Sequence, residues 1–85
     1  MHPRTSTAEQ TSMLAFELAI YVSVRSGVPE SVVEARVSDE ERVAVVKDEL
    51  LRRSITDARD PRARSRDVFD SAADRIEALL VAAAA

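Results

Sequence analysis

Asp67, Asp70, Asp74 and Glu77 form the most regular polar pattern in this 85-residue chain. Spacings of three, four and three residues set them along one flank of a helix, within about 80° of one another. Such a row has two chemical uses: holding a divalent cation or docking a basic partner. Hard cations want oxygens that converge from several segments or from a wrapping loop, and one straight helix supplies neither. The stronger expectation is a solvated flank, open to pairing with Arg52, Arg53 or Arg62 of this or another subunit.

Glu17 is the other residue with chemical promise. It is the only charge between Thr11 and Val24, where the chain reads TSMLAFELAIYVSV. A carboxylate buried among Met13, Leu14, Ile20, Tyr21 and Val24 would have a raised pKa, as general acids and bases do. Catalysis would need partners, and the same segment offers only Thr11, Tyr21 and Ser23, or an arginine such as Arg25, Arg42 or Arg53 arriving from elsewhere. A structural ion pair or a solvent-facing position is the expected role, including a pair that sets register within an oligomer. The chain has one His (His2) and no Cys. No familiar nucleophile–base pair can be assembled from that inventory, and disulfides and thiolate metal sites are excluded. Gly27 is the single glycine, so there is no phosphate-cradling loop. Neither enzymatic activity nor a cofactor or metal is expected.

The elements that must position these residues are helical. Aromatics make up 4% of the chain and glycine one residue, which disfavours strands and tight turns and favours helices packed through Ala, Val and Leu. Residues 1–7 read as a flexible arm and 8–85 as a single helical domain. Thr7 begins a candidate capping box with Gln10. A first helix is expected from Ala8 to Ser26, stopped by Gly27 in a left-handed position with Pro29 shortly beyond. A short helix from Pro29 to Arg36 should turn Val32 and Val33 inward. Ser38-Asp-Glu-Glu41 is the clearest capping box. It opens a helix from Asp39 to Arg53 with Val43, Val46 and Leu50 on its apolar face, unless one bent helix runs through Ser38. Ile55 to Arg64 is a polar connector broken at Pro61. Ser65 caps a last amphipathic helix, Arg66 to Ala83, whose apolar face includes Val68, Phe69, Ala72, Ile76 and Leu80.

The fold class is therefore all-α: a small bundle of three main helices plus a short connecting helix. The first helix is the anomaly. At about 100° per residue its apolar side chains fall on every side, and a helix apolar all round must be surrounded. A domain of this size buries only about 60–65% of its unfolded surface and usually needs a staple. With no Cys, oligomerisation is the staple that remains. The two later helices should cover half to two-thirds of the first. The rest, expected at Phe16, Glu17, Ala19, Ile20 and Ser23, should meet a protein partner: a homodimer first, because two-fold contacts are commonest, or a larger assembly.

Charge is unevenly placed within a formal net charge of −3. From Pro29 to Leu51 seven acids face three bases, whereas Arg52 to Arg66 holds six arginines and two aspartates. Arg52, Arg53, Arg59, Arg62, Arg64 and Arg66, with Asp70 and Asp74, are the expected charged partner surface, setting orientation and partner choice. The near absence of lysine and the alanine-rich tail fit a high-GC coding background, of the kind found in bacterial or phage accessory proteins.

An alternative lies in VSVRSGVPESVVEARV around Gly27, where a helix, a Gly-Val turn and a helix with paired valines follow the order of helix-turn-helix units. Ser23 sits where a small residue is wanted, four before the glycine. Glu30 and Glu34 oppose it, since they would face phosphates. The Arg-rich 52–66 segment, with Arg4, would have to supply those contacts in a small dimeric DNA-binding regulator. The apolar run is too short for a bilayer, which needs about 20 residues, and Glu17 would be costly there. Glu17 and the lack of a small-x-small site also argue against a signal peptide. A cytoplasmic, non-membrane adaptor or assembly subunit is the resulting expectation.

Overall fold

A computed structural model describes residues 7–84. These residues form four α-helices: α1 (Thr7–Ser26), α2 (Glu30–Arg36), α3 (Asp39–Arg52) and α4 (Arg66–Ala84). A one-turn 3₁₀ helix, Pro61–Arg64, precedes α4. The expected arm lies outside the described residues except for Thr7. That residue is already helical, so it is not the cap of α1.

Local signals account for the boundaries. Gly27 takes φ +78° and its N–H donates to Ser23 O at 2.9 Å, ending α1 in the left-handed conformation that glycine adopts at least cost. Between α2 and α3 the backbone is extended at Val37 and Ser38, so the two are separate helices. Ser38 and Glu41 form the full reciprocal capping box. Ser65 Oγ accepts from Val68 N–H at 3.3 Å at the start of α4. The end of α3 uses a Schellman motif: Ile55 N–H donates to Leu50 O and Ser54 N–H to Leu51 O. Here the left-handed residue is Ser54, with φ +57°.

Ion pairs fix the helix directions. Glu17 and Arg25 of α1 reach Arg64 and Glu77, so α1 and α4 run the same way. Arg53 reaches Asp67 and Arg75 reaches Asp48, so α3 is antiparallel to α4. The short α2 packs against α1 and α4, burying Val33 and then Val37 completely. Leu14, Leu18, Val22 and Ile76 are the large side chains at the centre, with Ala15, Ala19, Ala72 and Ala73 allowing close helix approach. Val46, Leu50, Ile76 and Leu80 are buried as their spacing indicates. Val43 and Phe69 are only partly buried, and Val45 takes the inward position on α3. The connector is less polar than it reads: Ile55, Ala58 and Ala63 are buried and form part of the core.

Candidate functional site

Helix α1 is buried on one side only. Thr11, Leu14, Ala15, Leu18, Ala19 and Val22 face the bundle. Met13 (49% exposed), Phe16 (52%), Ile20 (39%) and Val24 (81%) stand outside. Their spacing of three, four and four residues makes one stripe about 16 Å long at 1.5 Å per residue. Single exposed apolar residues are ordinary, but these four stand together in one row. Ser12, Met13, Phe16 and Glu17 line an open depression of about 400 Å³ at one end of the stripe.

One flank of the stripe is a polar seam with α4. Residues 17, 21 and 25, one turn apart, all point into it. Arg64 Nε donates to Glu17 Oε2 at 3.2 Å. The Tyr21 hydroxyl donates to Asp70, and its ring meets Phe69 edge-on with centroids 5.4 Å apart. Arg25 Nη2 lies 2.5 Å from Asp74 Oδ1, and its Nε donates to Glu77 Oε2 at 2.7 Å. Asp70 and then burial push the Tyr21 phenol up from its ordinary value. The α4 carboxylate row is thus occupied by Arg25 and Tyr21, with Asp67 held by Arg53 at 3.1 Å. Among the described residues no three potential metal ligands come together.

The opposite flank is closed by the chain itself, which corrects two expected interface residues. Ala19 is fully buried, and Ser23 is half-buried with its hydroxyl donating to Val28 O at 2.6 Å. Small residues permit close approach, and here α2 and α3 make that approach within the chain. Arg42, itself buried, donates from Nη1 to Ala15 O at 3.2 Å and from Nε to Val37 O at 3.3 Å. The outer face therefore consists of Phe16 and Ile20 as expected, with Met13 and Val24 in place of Ala19 and Ser23. Glu17 stands at its edge, 41% exposed rather than buried, and its partner is Arg64 rather than Arg25, Arg42 or Arg53.

The expected charged surface is largely self-neutralised. Arg59 pairs with Asp57 and Arg62 with Asp60, each at 2.8 Å. Both aspartates also accept the backbone N–H of that arginine, a turn chemistry that two-residue spacing favours. The Arg59 side chain and then its backbone N–H hold the Asp57 carboxyl down at about 2. Arg53 and Arg52 reach Glu49, Arg64 reaches Glu17, and Arg66 lies 3.9 Å from Asp70.

Sequence reasoning missed Glu49, whose side chain is completely buried between α3 and α4. Its carboxylate accepts from Arg53 (2.5 Å), Ser71 (3.0 Å) and Arg75 (3.3 Å). Burial alone would raise its pKa. The three donors outweigh burial and hold the carboxyl below its ordinary value. The signal was present: Arg42 and Glu49 are seven residues apart, on the same face as Val45 and Val46, and Arg53 follows Glu49 by four.

Among the described residues no helix is long and apolar enough to cross a membrane. Comparison with known protein families, curated proteins and solved structures finds no match to this chain.

Proposed function

We propose that this chain is a non-enzymatic interaction or assembly subunit that binds protein through the outer face of α1. The observation that carries this reading is the stripe Met13, Phe16, Ile20 and Val24, exposed together on one helix face. Full burial of a large apolar side chain contributes about 1.5–3 kcal/mol. Four half-exposed ones contribute roughly 5 kcal/mol before the cost of association, enough for a weak or moderate contact. Intramolecular pairing of Arg59, Arg62 and Arg64 with acids favours a protein surface over a phosphate backbone as the partner. The seam charges at the edge of the stripe would set orientation rather than affinity.

The test is affinity capture with the immobilised chain from cells that encode it. The wild type is compared with a Phe16→Asp, Ile20→Asp double variant whose helicity is checked by circular dichroism. The wild type should retain a protein that the folded double variant loses. Identical retention by both would remove the outer face of α1 from the function.

A further inference from the structure

Resting on that protein-binding reading, we infer that the occupant of the outer face of α1 is a second copy of this chain. In this arrangement α1 lies antiparallel on α1 of the copy, about a two-fold axis between Phe16 and Ile20. Two observations point to this occupant and this direction, and a third sets the strength of the contact.

The first is the spacing of the stripe, which nearly reproduces itself when reversed. Reversal about the midpoint of Met13 and Val24 sets Met13 over Val24 of the copy. It brings Phe16 within about one residue, 1.5 Å along the axis, of Ile20 of the copy. A patch that matches its own reverse meets the self-complementarity a two-fold contact demands.

The second is charge. A parallel pairing would align the two α1 dipoles in the same sense, which is unfavourable, whereas an antiparallel one opposes them. The antiparallel pairing sets Glu17 beside Ile20 of the copy, at the rim, where Arg64 of its own chain already neutralises it.

The third is area. The four exposed side chains offer an apolar patch on the order of 400 Å², within the 300–600 Å² range of large surface patches. Two copies bury about twice that plus a polar rim, at or below the roughly 1,200 Å² where weak and transient contacts begin. The dimer is accordingly weak and dependent on concentration, with monomer dominating dilute solution.

The chain has no Cys, so single-cysteine variants report on register without interference. Under mild oxidation, an equimolar mixture of Met13→Cys and Val24→Cys should crosslink faster than either variant alone. Light scattering over a hundredfold range of concentration should show the wild-type mass rising from 9.3 kDa towards twice that value. Ile20→Asp, helical by circular dichroism, should stay at the monomer mass. Faster self-crosslinking of either variant alone would overturn the antiparallel register. A wild type that stays at 9.3 kDa into the millimolar range would overturn the second copy. In that event the capture experiment separates the two failures. Stripe-dependent retention of another protein leaves the binding reading standing, and its absence removes both.

Discussion

A fully buried carboxylate is tolerated in a chain this small only because its donors surround it. Glu49 accepts from Arg53, Ser71 and Arg75, and among the described residues no buried side-chain nitrogen or oxygen lacks a partner. Removing the carboxylate leaves Arg53 and Arg75 without it, but both are partly solvated. The cost therefore falls below the ~3–5 kcal/mol of a fully buried broken pair, at about 2 kcal/mol for Glu49→Gln. The folded-state pKa of Glu49 lies below its ordinary 4.5. Its contribution to stability is thus complete above the unfolded value and disappears as pH falls through the folded one. Thermal melts should show the midpoint of the wild type falling as pH drops below about 4.5, with a shallower fall for Glu49→Gln. Equal slopes in the two proteins would show that Glu49 is not the group responsible.

The helices are delimited by motifs of different quality. The capping box at Ser38 satisfies donors reciprocally, and Gly27 carries its left-handed conformation at little cost. The end of α3 is the weak one, because Ser54 takes φ +57° with a side chain that disfavours it. Ser54→Gly should therefore stabilise the protein by about 0.5–1 kcal/mol, offset in part by the greater freedom glycine brings to the unfolded chain. The measurement is the urea midpoint at unchanged slope. Ser54→Val should shift it the other way, and a gain with valine would contradict the left-handed assignment. These motifs were readable because a cap or stop involves residues within four positions of one another. Ser38, Glu41, Gly27 and Ser65 were all identifiable before any packing was known. Ser54 was not, since serine has no general preference for that conformation and only the Leu50 and Leu51 carbonyls reveal it.

At the scale of the whole molecule, α1 has one buried and one exposed side. Leu14 and Leu18 are 1% exposed, and Phe16 between them is 52% exposed. Leu18→Ala should remove about 2–5 kcal/mol. At roughly 0.05–0.15 kcal/mol per residue, that is a large share of the stability of an 85-residue chain. Phe16→Ala should cost less than about 1 kcal/mol of folding stability. Denaturant titration of the two variants at low concentration, where monomer dominates, measures the contrast. Comparable losses would mean that Phe16 is core and that the outer face of α1 is not free. The same two-sidedness explains why the site was half legible. An apolar run without a stripe carries more apolar surface than the chain's own core covers, and Phe16 and Ile20 are indeed left exposed. Ala19 and Ser23 were not, because smallness favours close approach without specifying whether the approaching helix belongs to the same chain.

The all-α class, the order of the helices and the caps at Ser38, Gly27 and Ser65 follow from local sequence, because these depend on propensity and on hydrogen bonds between near neighbours. Tertiary structure alone decided which side of α1 is covered. It also decided that Glu17 meets Arg64, 47 residues away, that Arg25 answers the α4 carboxylates, and that Arg42 and Glu49 turn inward. These are pairings across helices. Their partners depend on the angle and rotation at which the helices pack, and no local pattern along the chain encodes those quantities.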